Sequence, residues 1–541
     1  MRSGAQIDVV SSKHGTALHA AASGGHTDVV QILVRAGAQI DLVAGHHGTA
    51  LQAAAYRGHT EIVQILVRAG AQIDLIASHH GTALQAAASW GHTETVQMLI
   101  SAGAHIDMVS GKHGTAVHAA ASEGHIDIIQ ILISAGAQID LVSGENGTAL
   151  HAAASGGHIE TVRILISAGA QIDLVAGIFG TALHAAASGG DIETVQILIS
   201  AGAQIDLVAG IFGTALHAAA SEGHIDIIQI LISAGAQIDL VSGENGTALY
   251  AAASGGHIET VQILISAGAQ IDMVSGKHGT ALHAAASEGH TDIVQILVRA
   301  GAQIDLIASH HGTALQAAAY RGHTDVVQIL ISAGAQIDLV SSEHSTALHA
   351  AASWGHIETI QMLISAGAQI DVASGKHGTA LHAAASEGHI DIVQMLISAQ
   401  AQIDLISSEN GTALQVAAYM GHTDTVQMLI SAGAQINLVA GYYGTALHAA
   451  ASGGHTDIVQ ILVNAGAQID LVAGDYGTVL HVAASMGNTD MVHILISAGS
   501  QIDLVAGLFG TALHAALWYG HTETVQILLT AGAQSSVHNP N

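Results

Sequence analysis

The sequence predicts an all-α solenoid, in which pairs of short helices stack one after another along a chain of 541 residues. A single hydrophobic core rarely grows beyond about 250–300 residues, so a chain of this length is built from several domains or from repeats. The same threonine returns at a constant interval, as Thr16, Thr49 and Thr82 show, and it continues without insertions to Thr511. Such a fixed period is the signature of a repeat array. Half of the residues are apolar but only 3% are aromatic, and this favours close helix packing through alanine.

Sixteen repeats follow one another over residues 15–541, and we number Gly15 as position 1 of repeat 1. Residues 1–14 match the end of a repeat, because Gly4 to Asp8 have the same sequence as Gly37 to Asp41. Repeat arrays need capped ends, and the chain starts inside a repeat but ends in a polar tail. We therefore expect that the natural protein continues upstream and that this chain is its C-terminal recognition part.

Each repeat predicts a first helix, a second helix and a hairpin. In repeat 1, Thr16 is the N-cap of a helix that is interrupted at Gly24-Gly25. A second helix starts near Thr27-Asp28, with the acid in its first turn, and stops at the C′ glycine Gly37. The remaining residues lead into a hairpin, and three repeats carry Asn-Gly at its tip, which is a strong turn signal. These tips are at Asn146-Gly147, Asn245-Gly246 and Asn410-Gly411.

Composition excludes several classes of function. The formal net charge of −30 argues against nucleic-acid binding, which needs a basic face. No apolar run approaches the roughly 20 residues of a membrane span, and the first residues do not form a signal peptide. The absence of cysteine rules out disulfides and thiolate metal sites and fits a reducing, cytoplasmic compartment.

The repeat resembles the ankyrin repeat, through Thr-x-Leu-His, then Gly-His, then an aliphatic helix that ends in Gly-Ala. Ala17, Ala50 and Ala83 stand where that family usually has proline. The resemblance implies paired antiparallel helices with hairpin loops in a superhelix, and protein–protein recognition through a concave groove. Residues 441–448 look like the subtype of fungal arrays in NACHT-type receptors, which implies a setting in signalling similar to innate immunity. The alternative function is a passive structural or elastic spacer.

The repeats differ from one another mainly at positions 5, 9–10 and 32–33, which the resemblance places on the concave groove. All fourteen aromatic residues lie in these columns, and aromatic residues and arginine are favoured as interface anchors. We expect these residues, with their Arg and Ile neighbours, to bind protein partners whose identity the sequence does not give. They are Tyr56, Arg57, Trp90, Ile178, Phe179, Ile211, Phe212, Tyr250, Tyr320, Arg321, Trp354, Tyr419, Tyr442, Tyr443, Tyr476, Phe509, Trp518 and Tyr519.

Two other interpretations of these columns stay open. In the first, these exposed positions vary between repeats because nothing restrains their sequence. In the second, neighbouring tips stack on each other for structural reasons, with Ile178-Phe179 against Ile211-Phe212. The order Tyr-Arg, Ser-Trp, Ser-Glu at positions 9–10 occurs in repeats 2–4 and again in repeats 10–12. A partner of this monomeric array is therefore expected to be repetitive in part.

The 39 histidines suggest metal binding until they are sorted by position. Fourteen lie at position 12 and eleven at position 5, where the resemblance implies hydrogen bonds within and between repeats. Eleven more lie at the hairpin tips, too far apart in successive repeats to share zinc, but suited to a pH-sensitive groove. We expect no metal, no cofactor and no enzymatic activity, because residues that recur in every repeat lack the single special environment that catalysis needs.

Overall fold

In the computed structural model, residues 7–11, 15–44, 48–77, 81–110, 114–143, 147–242, 246–275, 279–308, 312–341, 346–373, 378–407 and 411–534 are described. Within these ranges, 32 α-helices form sixteen pairs, as an all-α solenoid requires. The chain divides into two compact units, residues 1–276 and 277–541. None of the helices in the described ranges is both long and apolar enough to cross a lipid bilayer.

Unit 1 holds the first sixteen helices, and odd numbers mark the first helix of each repeat. Their bounds are α1 Ala17–Ser23, α2 Thr27–Arg35, α3 Ala50–Tyr56, α4 Thr60–Arg68, α5 Ala83–Ser89, α6 Thr93–Ser101, α7 Ala116–Glu123, α8 Ile126–Ser134, α9 Ala149–Ser155, α10 Ile159–Ser167, α11 Ala182–Gly189, α12 Ile192–Ser200, α13 Ala215–Glu222, α14 Ile225–Ser233, α15 Ala248–Ser254 and α16 Ile258–Ser266.

Unit 2 holds the other sixteen helices and a 3-10 turn at Gly474–Tyr476. The helix bounds are α17 Ala281–Glu288, α18 Thr291–Arg299, α19 Ala314–Arg321, α20 Thr324–Ser332, α21 Ala347–Trp354, α22 Ile357–Ser365, α23 Ala380–Glu387, α24 Ile390–Ser398, α25 Ala413–Met420, α26 Thr423–Ser431, α27 Ala446–Gly453, α28 Thr456–Asn464, α29 Val479–Met486, α30 Thr489–Ser497, α31 Ala512–Tyr519 and α32 Thr522–Thr530.

The first helix begins at a threonine N-cap, as predicted. In repeat 4 the Thr115 N–H donates to Nδ1 of His118 at 3.2 Å, and the Thr115 hydroxyl lies 2.8 Å from the same nitrogen. This arrangement is a capping box, in which the histidine at position 5 takes the part usually played by Glu or Gln. The helix ends at Gly124, whose φ of 75° is left-handed and therefore suits glycine.

The second helix has the predicted bounds, and it begins without a side-chain cap in most repeats, as in repeat 4. His125 is the N-cap of α8 without a side-chain hydrogen bond, and Asp127 adds negative charge to the first turn, where the helix dipole favours it. The helix is followed by Ala135 and by Gly136 with a φ of 90°. Both helices bury aliphatic side chains, such as Val117, Ile129 and Leu132, with a relative exposure of 0%. A buried aliphatic side chain of this size contributes about 1.5–3 kcal/mol.

Three hydrogen bonds recur between neighbouring repeats. The Nε2–H of His118 at position 5 donates to the Gly147 carbonyl of the next repeat at 3.0 Å. His125 at position 12 makes a bond of 3.1 Å to the Ser89 carbonyl of the preceding repeat. Asp107 accepts the backbone N–H of Gln138 in the next repeat at 2.9 Å. The aspartates at position 27 therefore join successive repeats.

The predicted hairpins reduce, where they are described, to single antiparallel bridges between position 30 and position 1 of the next repeat. Ala176 pairs with Gly180 and Ala440 pairs with Gly444 in this way. The Asn residues of the three Asn-Gly tips lie outside the described residues, as does most of the 1–14 partial repeat and the tail 535–541. The tip histidines and all four lysines, Lys13, Lys112, Lys277 and Lys376, also lie outside.

Candidate partner-binding surface

Two equivalent aromatic pairs lie at the ends of first helices, one in each unit. The ring centroids of Tyr56 and Trp90 are 4.6 Å apart at an interplanar angle of 56°, and those of Tyr320 and Trp354 are 4.8 Å apart at 58°. Trp90 and Trp354 nevertheless keep 52% and 56% of their surface exposed. Each pair is therefore an open aromatic platform formed by position 9 of one repeat and position 10 of the next.

A cation accompanies each platform. Cζ of Arg57 lies 5.4 Å from the centroid of the Tyr56 ring, within the range of a cation–π interaction. Arg321 occupies the same place after Tyr320 in the sequence, and both arginines are exposed. The backbone under each platform is tied to the next repeat, because the carbonyl of Tyr56 lies 3.0 Å from Nε2 of His92.

The two Ile-Phe hairpin tips stack on each other. The rings of Phe179 and Phe212 lie 6.3 Å apart at an interplanar angle of 14°, and the Ile211 N–H donates to the Ile178 carbonyl at 3.0 Å. The expected contact between these two tips is thus present. Ile178 and Ile211 stay 42% and 58% exposed, so stacking does not remove the tips from solvent.

Four tyrosines of unit 2 form a cluster across repeats 13 and 14. Tyr419 and Tyr443 stack with centroids 4.1 Å apart, and the hydroxyl of Tyr476 donates to that of Tyr442 at 2.7 Å. Burial, together with the Tyr419 hydroxyl, raises the pKa of Tyr443 to about 12. The hydrogen bond to Tyr442 raises the pKa of Tyr476 to about 12. Tyr443 and Tyr476 are therefore uncharged near neutral pH, and the neighbouring Tyr442 is 68% exposed.

A further aromatic group lies in the last two repeats. Phe509 contacts Tyr519 with centroids 5.4 Å apart and Trp518 with centroids 6.3 Å apart. Trp518 is 77% exposed and the neighbouring Leu508 is 74% exposed. Exposed apolar groups of this kind usually mark contact surfaces.

Position 5 is not a free groove position, contrary to the sequence interpretation. Its side chains are buried in the capping box, and His118 and Gln52 are each 2% exposed. His514 in the last repeat is only half-buried, and its helix α31 has the threonine cap without the reciprocal side-chain bond. Tyr250 is also only half-buried, and its helix α15 likewise lacks that bond. The Tyr250 ring therefore lies at the surface, although position 5 is buried in most other repeats.

The sequence interpretation missed an apolar stripe at position 29, just before the hairpin tips. This position holds Val or Ile in almost every repeat, and each of these side chains is 44–72% exposed. The sequence carries this signal as a β-branched residue that recurs in almost every repeat, whereas the sequence interpretation relied on positions that vary between repeats. The members are Val43, Ile76, Val109, Val142, Val175, Val208, Val241, Val274, Ile307, Val340, Ile406, Val439, Val472 and Val505.

Asp191, Arg163 and Gln400 each replace the residue that is usual at their position in the repeat. Oδ1 of Asp191 caps α12 by accepting the Thr194 N–H at 3.1 Å, Arg163 pairs with Glu193 at 3.2 Å, and Gln400 has a φ of 69°. No group of three His, Asp or Glu side chains in the described part of the chain lies close enough together to hold a metal ion.

Comparison with known proteins gives a consistent result. The family model "Ankyrin repeats (3 copies)" matches residues 1–77, 18–110, 84–176, 174–242, 216–308, 306–374, 372–440 and 447–539. Among solved structures, the crystal structure of the human ASB11 ankyrin repeat domain is similar, with 27% sequence identity and a TM-score of 0.37. This match covers 41% of the present chain and 98% of that domain. No curated protein matches the chain.

Proposed function

The chain belongs to the ankyrin-repeat family, and from that premise we propose that it is a recognition array that binds partner proteins through its exposed aromatic groups. Ankyrin repeats generally mediate protein–protein interaction. The observation that carries the proposal for this chain is the pair of Tyr–Trp platforms, whose tryptophans stay 52% and 56% exposed. Large rings at an aqueous surface are costly to leave uncovered and are favoured as binding anchors.

A passive spacer is the second candidate function, and the stacking of Phe179 on Phe212 is the observation that favours it. Ring contacts between neighbouring repeats stabilise an array whether or not it binds a partner, by about 0.5–1.5 kcal/mol per pair. The two functions differ in the role of the exposed ring faces. Recognition requires these faces to be accessible to a partner, whereas a spacer does not.

The decisive experiment replaces Trp90, Trp354, Phe179 and Phe212 with Ala in the full chain and measures retention of proteins from a cell extract by quantitative mass spectrometry. We expect at least a tenfold loss of specifically retained proteins, with a modest fall in stability from the lost ring contacts. Ile192→Ala with Ile258→Ala, which are 39% and 38% exposed at second helices, is the control and should retain them. Equal retention of cellular proteins by the unchanged chain, the aromatic variant and the control variant supports the spacer.

The duplicated order at positions 9–10 supports a partner that is repetitive in part. The platforms of repeats 2–3 and 10–11 have nearly the same geometry, with centroid distances of 4.6 Å and 4.8 Å and interplanar angles of 56° and 58°. One kind of ligand therefore suits both platforms. The stoichiometry of a purified complex measures this, and a single site at one end of the array would contradict it.

We further propose a cytoplasmic setting and a part in signalling similar to innate immunity. The absence of cysteine supports the compartment, and the resemblance of residues 441–448 to fungal NACHT-type arrays supports the signalling setting. In this proposal the array recognises its partner as a monomer and performs no chemistry itself. Sequencing of full-length transcripts tests the setting, because a transcript without a signalling domain would contradict it.

A further inference from the structure

We infer that repeats 4–8 bind an extended basic peptide segment, which places one apolar side chain in each of two equivalent pockets. The inference rests on the proposed function and specifies the chemistry of one partner. Both pockets and all the residues that form them lie within unit 1.

The first pocket lies between the first helices of repeats 4 and 5. Its cavity volume of about 200 Å³ is below the roughly 300–1,000 Å³ of sites for small molecules, which favours a single side chain as the occupant. The pocket exists because position 10 of repeat 5 is Gly156, so no side chain projects from the end of α9. The lining residues used here are His118, Ser122, His151, Ser155, Gly156 and Phe179.

The second pocket repeats the first, three repeats further along. Its volume is about 190 Å³, and Gly255 follows the end of α15 as Gly156 follows α9. His217, Ser221 and Ser254 occupy the positions of His118, Ser122 and Ser155, and Tyr250 replaces His151. Two pockets with the same floor in one unit indicate two contacts of the same kind with one ligand.

The stacked phenylalanine tips stand between the two pockets. Phe179 lines the first pocket and Phe212 lines the second, while their rings stack 6.3 Å apart. The backbone bond from Ile211 to Ile178 fixes the tips relative to each other. Each pocket therefore has a preformed aromatic wall, which reduces the ordering that binding would otherwise require.

The histidine walls of the pockets are neutral. Burial lowers the pKa of His118, His151 and His217, and both ring nitrogens are occupied. In His118, Nδ1 lies 2.8 Å from the Thr115 hydroxyl and Nε2 lies 3.0 Å from the Gly147 carbonyl. The interior of each pocket thus offers apolar and hydroxyl surface without charge.

The rims of the pockets are acidic. Glu123 follows Ser122 of the first pocket, Glu222 follows Ser221 of the second, and both carboxylates belong to exposed residues. Residues 114–276 contain fifteen acidic residues and one arginine, and that arginine, Arg163, is paired with Glu193 on second helices. An array segment of this charge attracts a basic partner and repels an acidic one.

The spacing of the pockets sets the spacing of the anchors. Packed helices lie about 8–10 Å apart, so three repeats separate the pockets by about 24–30 Å. An extended peptide advances about 3.3 Å per residue. The two apolar side chains of the ligand should therefore be about seven to nine residues apart, each beside Lys or Arg.

The test uses fluorescein-labelled synthetic peptides in which two Leu-Arg pairs are separated by Gly and Ser. One peptide places the leucines at the predicted spacing of about eight residues, and two others place them at half of it and at one and a half times it. Fluorescence anisotropy with the full chain should give at least tenfold tighter binding for the predicted spacing than for the other two. Replacing Arg with Glu in that peptide should abolish binding. Equal affinity at all three spacings, or for the acidic peptide, overturns the inference.

Two variants test the pockets and rims. Ser155→Tyr with Ser254→Tyr should fill both pockets and weaken the peptide at least tenfold, whereas Ser287→Tyr at the same position in unit 2 should not. The array tolerates this change, since Tyr56 and Tyr320 occupy that position naturally. Glu123→Gln with Glu222→Gln should weaken binding about threefold to tenfold, and Glu288→Gln with Glu387→Gln should leave it unchanged. An equal effect of the paired controls overturns the inference.

The two proposals fail separately. If no peptide binds while retention of cellular proteins still depends on Trp90 and Trp354, the peptide inference is wrong and the proposed function stands. If retention is also indifferent to the aromatic substitutions, both are wrong.

Discussion

Gln400 occupies a position that glycine holds in the other repeats, directly after the second helix. Its φ of 69° is left-handed, which costs a residue with a Cβ about 1–2 kcal/mol. We expect Gln400→Gly to raise the free energy of unfolding by about 1 kcal/mol, measured by urea denaturation.

The next repeat supplies the matched control for Gln400. Gly433 has a φ of 93°, and a Cβ added there meets no atom within 4 Å. Gly433→Gln should therefore destabilise the array by a similar amount through backbone strain alone. A stabilising or neutral effect of Gly433→Gln would show that the strain argument is wrong.

Threonine at position 15 has two different environments. The Thr95 hydroxyl bonds that of Thr60 in the preceding repeat at 2.8 Å, whereas the buried hydroxyl of Thr161 has no partner and Ile126 occupies the position that corresponds to Thr60. Thr161→Val should stabilise the array by up to about 1 kcal/mol, and Thr95→Val should cost about 0.5–1.5 kcal/mol. Thermal unfolding of the two variants measures this, and effects of equal sign would contradict the prediction.

At the scale of the helix, the sequence predicted most of the local structure. Thr16 at the N-cap, the break after Ser23 and the stop before Gly37 are all observed in α1 and α2. These features depend on residues that are close in sequence. A threonine hydroxyl caps the backbone amides that follow it, and a glycine adopts the positive φ at a helix end. The sequence of one repeat is therefore enough to predict them.

Features that join different repeats were harder to predict. Asp107 accepts the Gln138 N–H of the next repeat, and the Tyr56 ring packs against Trp90 of the next repeat. Such pairs depend on how far one repeat is displaced and rotated against the next, which a pattern within one repeat does not contain. The hydrogen bonds of His118 within its repeat and to the next repeat were expected from the resemblance and are observed. Its part in a capping box was not predicted, because the usual motif has Glu or Gln at that position.

The capping histidines make the stability of the helix pairs depend on pH. Burial lowers the pKa of His118, His151, His184 and His217 below the ordinary value of 6.5. As the pH falls below 6.5, the unfolded chain takes up protons that these folded side chains do not, so stability decreases. The urea midpoint should be constant above about pH 7.5 and should fall steadily towards pH 5.

Glutamine at position 5 provides the control for this pH dependence. In repeat 2 the Gln52 side chain accepts the Thr49 N–H at 2.8 Å and donates to the Gly81 carbonyl at 2.6 Å, and glutamine does not titrate. Substitution of Gln for the four histidines should preserve the midpoint at pH 7.5 and reduce its fall at pH 5. An unchanged fall would assign the pH dependence to other groups.

At the scale of the whole chain, most of the negative charge belongs to the repeated scaffold. The acids at positions 14 and 27 account for 31 of the 41 acidic residues, and they serve the helix starts and the bonds between repeats. The aromatic groups lie at positions 9–10 and 32–33. These side chains take no part in the bonds made by the acids, so they can vary between repeats. The scaffold is thus specified almost identically sixteen times, while single repeats change their surface without changing the fold.

The same organisation predicts how the chain responds to local damage. Extensive helix contacts join helices of the same repeat or of adjacent repeats, as in a one-dimensional array whose stability is a sum of neighbouring terms. Leu198 in α12 has 0% exposure. Replacing it with Ala should lower the free energy of unfolding by about 2–5 kcal/mol. Hydrogen exchange should then lose protection in repeat 6 and its neighbours but keep it in unit 2. Leu462→Ala in α28, also at a site of 0% exposure, should give the converse pattern. A uniform loss across both units in either variant would mean that the chain unfolds as one cooperative body.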